Sequence, residues 1–123
     1  MHVSVEQLSP DIQYVRVIGK WENDQVMAAI KRYSPEIKRH LICDFNDADI
    51  TQLSSEFFMT FPIIFKQNLI NRQAGSKTAI IASGDFVFGM MNMYVAHANM
   101  SELPYVYRNY RTIQEALDWV LEG

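Results

Sequence analysis

The sequence predicts a mixed α/β fold: a mostly parallel sheet of about five strands, opened by a hairpin, with about four helices. Three observations lead there. Residues 3–8 alternate as a short strand and residues 12–20 are rich in β-branched and aromatic side chains, with Ser9-Pro10-Asp11 between them. Short apolar runs at residues 41–45 and 79–82 have the character of buried strands. Between these runs the apolar residues fall at helical spacing. Strands alternating with helices imply parallel pairing through right-handed crossovers.

Each element has a local cause. Val3 and Val5 alternate with Ser4 and Glu6. Pro10 presets φ for a turn and Asp11 can bond its own backbone. Ile12, Tyr14, Val15, Val17 and Ile18 then favour a second strand paired with the first. Val26, Ala29, Ile30 and Tyr33 stand at i, i+3, i+4 and i+7, one face of a helix. Glu22 and Asp24 at its start and Lys31 and Arg32 at its end suit the helix dipole. Ser34-Pro35 ends it, because the residue before proline is pushed out of the α region. Residues 46–52 read as a polar loop. Residues 54–72 are helical in character, but Pro62 would cost about 3 kcal/mol in a helix interior, which predicts a break near Thr60, with Thr60 capping the second piece. Ala74-Gly75-Ser76 is a turn before a strand in residues 77–83. Asp85 is the expected N-cap of a helix running to Asn99. Pro104 opens a last strand, Tyr105-Val106-Tyr107. Thr112 and Glu115 have the spacing of a capping box. Ile113, Ala116, Leu117, Val120 and Leu121 give the closing helix an apolar stripe.

Composition bounds the class of protein. Of 123 residues 49% are hydrophobic and 20% charged, with a formal net charge of -3. That predicts one domain, residues 1–123, burying about two-thirds of its unfolded surface. The single cysteine, Cys43, excludes an intramolecular disulfide and with it a stapled secreted scaffold. No window reaches the roughly 18 apolar residues of a membrane span. Residues 1–10 lack the apolar run of a signal peptide, so a cytoplasmic location is expected. The mild acidity argues against a dedicated nucleic-acid binder. The unusual count is seven methionines, four of them in residues 90–100.

The order of elements resembles the STAS fold of the anti-sigma-factor antagonists. The stretch Lys77-Thr78-Ala79-Ile80-Ile81-Ala82-Ser83-Gly84-Asp85 is similar to the strand-to-helix segment of the SpoIIAA-like, STAS/SEC14-type bacterial proteins. Gly89, Met93 and Tyr94 fit the helix that follows in that group. Val106-Tyr107-Arg108 and Ala116-Leu117-Asp118-Trp119-Val120 resemble its closing strand and helix. The resemblance implies a fold more than an activity. In the phosphorylated antagonists a D-S-S-G pattern at a helix start carries the switch serine. Here Ser54-Ser55 stand in about that place, with Leu53 for the aspartate and Glu56 for the glycine. Either serine is a candidate phospho-acceptor by this resemblance, and either can cap the helix.

No convergent catalytic set is legible. Asp44, Asp47 and Asp49 could offer oxygen ligands to a hard cation, but their spacing is not an EF-hand and solvated loop carboxylates account for them. Cys43 in an apolar run reads as a small core residue, since a reactive thiol needs access and a lowered pKa. His40 follows two cations, which disfavours its protonation. Ser83-Gly84-Asp85 lacks the glycines of a phosphate loop. Arg108 and Arg111, with Tyr107 and Tyr110, could receive an anion or form surface charge pairs. No metal and no cofactor is expected.

The helix over residues 86–100 carries most information. Phe86, Met90, Met93, His97 and Met100 form one stripe; Val87, Met91, Tyr94 and Ala98 form the next; Phe88 and Val95 add apolar surface on a third. That exceeds what one sheet face can cover, and methionine recurs on adaptable binding surfaces. Two readings are open: a thick core with Phe88 or Met91 partly exposed, or a contact surface. Phe57, Phe58, Phe61 and Phe65 form a second apolar concentration, and a break at Pro62 could open a cleft toward the methionine-rich helix. The functional expectation is a non-catalytic regulatory or protein-interaction module able to form homodimers. The alternative is a carrier of a small apolar or amphiphilic, lipid-like ligand.

Overall fold

The computed structural model describes residues 1–68, 71–101 and 103–122. The chain runs β1 (His2–Ser9), β2 (Ile12–Lys20), α1 (Asn23–Tyr33), a 3-10 turn (Ser34–Glu36), β3 (His40–Asp44), β4 (Ala48–Asp49), α2 (Ser55–Met59), α3 (Phe61–Asn68), β5 (Lys77–Ile81), α4 (Asp85–Met100), β6 (Val106–Tyr110) and α5 (Ile113–Val120). The sheet order is β1-β2-β3-β5-β6. β1 and β2 pair antiparallel, and all the later neighbours pair parallel. The predicted hairpin and parallel sheet are therefore both present.

The two faces of the sheet are unequal. Val17, Leu41 and Ile80 belong to a large core with buried residues from α1, α2, α3 and α4. Ile12, Ile42, Ala79 and Ile81 point the other way, under Ala116, Trp119 and Val120 of α5. The period-2 alternation of side chains makes this division. Among the described residues α5 is the only helix on its face.

Several local causes differ from expectation. Residues 46–52 are not all loop: Ala48 and Asp49 pair with Gly19 and Lys20. Gly19 has φ +90, which a side chain would strain, and this bend brings the end of β2 to β4. The helix does break at Thr60, but Thr60 does not cap α3. Its hydroxyl donates back to the Phe57 carbonyl at 2.6 Å. Gly84, not Asp85, is the N-cap of α4. Asp85 instead pairs with Arg111 at 2.8 Å. β6 runs on to Tyr110, beyond the expected Tyr107. Thr112 accepts from the Glu115 N–H as predicted, but Glu115 returns to the threonine hydroxyl at 3.0 Å. In α5, Ile113 and Leu121 are exposed and Trp119 is buried in their stead.

Candidate functional site

Three places could carry function: the loop before α2, the outer face of α4, and a cavity under the helical layer. In the first, Ser54 caps α2, its hydroxyl accepting from the Phe57 N–H at 3.2 Å. Such a cap is worth about 1 kcal/mol. Ser55 is exposed at the first residue of the helix. The nearby carboxylates are each occupied separately. Asp44 accepts from the Tyr14 hydroxyl, Asp47 pairs with Arg16, and Asp49 accepts from Thr51. Burial and the Asp44 carboxylate push the Tyr14 phenol well above its ordinary pKa. Among the described residues no three histidine, cysteine or acidic side chains gather as metal ligands.

The thiol and the histidines stay apart. Cys43 and His40 share β3 but face opposite sides, being three residues apart. Burial pushes the Cys43 thiol up to about 12, so it is protonated at neutral pH. The His40 Nδ1 accepts from the Lys77 N–H at 3.0 Å. Burial, then the neighbouring Arg39 charge, lowers its pKa. His97 lies on α4, its Nε2 3.1 Å from the Met59 carbonyl oxygen. Arg108 packs over Trp119, and Arg111 is shared between Asp85, the Ser83 carbonyl and the Phe88 ring. Neither arginine waits for an anion with its charge unused.

The α4 stripes separate cleanly. Met91, Tyr94 and Ala98 are buried. Met91 has no exposed surface, so of the two residues that the thick-core reading leaves partly outside only Phe88 is so placed. Phe86, Met93 and Met100 are 65%, 61% and 82% exposed. Met90 and Phe88 are half-buried.

The cavity lies between the sheet and the helices. Its volume is about 100 Å³ and its walls are almost wholly apolar. Val15, Cys43 and Ile80 belong to its floor, Val26 and Ile30 to the α1 wall. Phe58, Phe61 and Phe65 join Met91 and Tyr94 in lining it, so both apolar segments contribute to one space. Phe58 stacks on Tyr94 with centroids 4.6 Å apart. Phe57 packs edge-on against Phe61 at 5.3 Å. These residues lie inside, with Phe58, Phe61 and Tyr94 buried beyond the reach of an outside partner.

One buried group outside the cavity lining was not legible in the sequence. Arg72 is only 7% exposed. Its Nε donates to the Arg39 carbonyl at 2.8 Å and its Nη2 to the Lys77 carbonyl at 2.9 Å. The guanidinium lies 4.4 Å from the Tyr105 ring centroid. Burial lowers its pKa, yet arginine stays charged. Thr78, Tyr94 and Tyr107 line the cavity, and burial raises Tyr107 to about 12 and Tyr94 well above the ordinary phenol. The only sequence sign was a threonine inside the apolar run 77–82.

No family model matches the chain, and no curated protein does. Solved structures do match. The anti-sigma factor antagonist SpoIIAA in its unphosphorylated form superposes with a TM-score of 0.54, at 13% identity, over 97% of this chain and 96% of that one. The Bacillus cell fate determinant SpoIIAA in the phosphorylated form gives 0.51 at 12% identity, over 97% and 99%. The chain thus has a SpoIIAA-like fold over nearly its full length. No helix among the described residues is long and apolar enough to cross a membrane.

Proposed function

We propose that the protein is a non-catalytic regulatory module that works by docking, and that its docking face is the outer side of α4, against a second copy of the same chain. The carrying observation is the exposed row Phe86, Met93 and Met100. These residues are seven apart, two helical turns, with Met93 central. Between them the exposed small residues Gly89 and Ala96 repeat at the same interval. An antiparallel copy of α4 would set Phe86 against Met100 of the second chain, with Met93 on the two-fold axis, the self-complementary arrangement of an isologous dimer. Small residues between the large ones let the helices approach. The enclosed Cys43 thiol and the separated histidines support a non-catalytic role. Within this reading Ser54 and Ser55 are the positions where a phosphoryl group would act, since added charge at a helix start changes local hydrogen bonding.

Sedimentation velocity tests the docking face. The parent chain should sediment as a dimer at high micromolar concentration. Met93→Glu places two carboxylates on the axis and should weaken association more than about a hundredfold, with an unchanged circular dichroism spectrum. A parent chain that stays monomeric overturns the proposal, as does a Met93→Glu variant that still dimerises.

The cavity favours a second reading, a binder of a small apolar or amphiphilic ligand. Its size, about 100 Å³, narrows that reading to molecules no larger than benzene, because an apolar cavity of roughly 150 Å³ holds one benzene. A long lipid chain does not fit. Benzene should raise the thermal midpoint and shift the amide resonances of cavity residues. An unmoved midpoint with unmoved resonances overturns this reading.

A further inference from the structure

The two edges of the sheet are finished differently. At one edge the Asn99 side chain of α4 donates to the Tyr107 carbonyl and accepts from the Tyr107 N–H, both at 3.1 Å. It occupies outward backbone groups of β6 as a further strand would. At the other edge β1 is uncovered, and the hydrogen bonds of its neighbour show which groups are free. The His40 N–H donates to the Asp11 carbonyl and the Gly19 N–H to the Asp47 carbonyl, both at 2.9 Å. Odd-numbered residues along β2 therefore turn their backbone toward β3 and β4, and even-numbered ones toward β1. Ile18 stands opposite His2, Arg16 opposite Ser4 and Tyr14 opposite Glu6, so the even residues of β1 bond inward. The N–H and C=O groups of Val3, Val5 and Gln7 point out of the edge, and none of the described residues bonds to them.

Such an edge pairs with another strand unless something prevents it. Residues 2–6 contain no proline, no lysine and no bulge; the irregularity of β1 comes later, between Gln7 and Ser9. The strand is also complementary to itself. Set antiparallel to a second copy across a two-fold axis at Ser4, it places Val3 opposite Val5 and His2 opposite Glu6. The valines turn their backbone outward and form the hydrogen-bonded pairs. Their side chains are half-buried on the large-core face, where each would meet an apolar neighbour. His2 and Glu6 are exposed on the other face, and an imidazole N–H can donate to a carboxylate whether the ring is neutral or charged. Sliding the register by two residues either way sets Ser4 against Glu6 or against His2 and loses both pairs.

We propose that β1 is a second docking site for a copy of this chain, joining β1 to β1 so that one sheet runs through both copies. It is independent of the α4 face. α4 packs against β6, and β1 lies at the far end of the sheet, so a copy docked through α4 leaves β1 free. Two self-complementary surfaces at opposite ends link dimers into larger assemblies. The β1 contact is the weaker one. It is a few strand residues long, which places it among small interfaces with a dissociation constant on the order of 1 mM.

The Met93→Glu chain isolates this contact. Between about 0.1 and 2 mM its amide resonances at Val3, Val5 and Gln7 should move with concentration, and its mass by sedimentation equilibrium should rise toward a dimer. Adding His2→Glu sets carboxylates against each other and should abolish the rise. Adding Glu6→His as well restores unlike partners and should recover it. Val5→Pro removes an outward N–H that the fold does not use, so it should abolish association with an unchanged circular dichroism spectrum. A Met93→Glu chain that stays monomeric to about 2 mM overturns the β1 proposal and leaves the α4 reading standing. So do a His2→Glu variant that associates as before, a double variant that stays monomeric, and shifts confined to other elements. A parent chain that is monomeric at high micromolar concentration but pairs through β1 in the millimolar range supports the proposal and overturns the α4 reading alone.

Discussion

Phe61→Ala is expected to lower the free energy of unfolding by about 3–5 kcal/mol, toward the upper end of that range. Phe61 is buried at the start of α3 and touches five rings. Its centroid lies 5.8 Å from Trp21, 5.3 Å from Phe57, 5.7 Å from both Phe58 and Phe65, and 6.4 Å from Tyr94. Most of these contacts are edge-to-face, the favoured geometry for a ring quadrupole. The penalty has two parts: the lost transfer free energy of the ring and the void left behind. Here the void joins a space that already exists, so the walls have little to collapse onto. α3 is only eight residues long and depends on packing for its existence. Denaturant unfolding at constant m-value measures the effect. The same variant should bind benzene more tightly than the parent, recovering part of the loss by mass action. A loss below 1 kcal/mol would mean that the rings are not packed around a void as described.

What could be read from the sequence was what is decided locally. The 3.6-residue spacing of Val26, Ala29, Ile30 and Tyr33 and the apolar runs at 41–45 and 79–82 each report their own element, and the chain order follows from them. The break at Thr60 was legible because Pro62 removes a donor wherever it stands. Pairings between distant residues were not. β4 depends on the bend at Gly19, and nothing in Ala48-Asp49 itself announces a strand. Asp85 is a good cap by type, but Arg111 in the β6–α5 connection claims its carboxylate. Arg72 is the clearest case. An arginine at the end of a helical segment reads as a solvated cation, and its burial is set by the carbonyls of Arg39, just before β3, and Lys77 in β5, which come together only in the sheet.

The apolar excess of α4 was visible, but its division was not. Met91 and Met93 are neighbours in sequence and identical in chemistry. Two residues turn a helix by roughly 200°, which puts Met91 in the core and Met93 outside. The row Phe86, Met93 and Met100 on the outer face emerges only once Tyr94 and Ala98 have fixed which way the helix rolls. Tyr94 is fixed in turn by stacking on Phe58 and by Tyr107, 6.0 Å away across the core. The interior cavity and the exterior row are therefore consequences of one helix orientation, and a change that rolls α4 should disturb both.

The second large effect belongs to the opposite face of the sheet. Trp119→Ala should cost about 3–5 kcal/mol, while Trp119→Phe should cost less than about 2 kcal/mol. Trp119 is 7% exposed and packs 6.0 Å from Tyr110. The Lys77 ammonium and the Arg108 guanidinium lie 5.4 and 5.2 Å from its ring centroid. Lys77 also donates to the carbonyls of Trp119 and Glu122, both at 2.8 Å, so one cation holds the ring and the end of the helix that carries it. α5 has eight residues, too few to be stable alone. It stays because Ala116, Trp119 and Val120 cover Ile42, Ala79 and Ile81. Removing the indole takes the largest part of that cover and frees Lys77 from the ring, so detachment of the whole helix competes with a simple cavity. Increased binding of a hydrophobic dye below the unfolding midpoint would report detachment. A plain midpoint shift without dye binding would report a cavity under an intact helix. Leu121→Ala, one turn end away but exposed, should change stability by less than about 0.5 kcal/mol. A comparable loss in both variants would mean that the helix docks through its sequence-apparent stripe and not through the tryptophan.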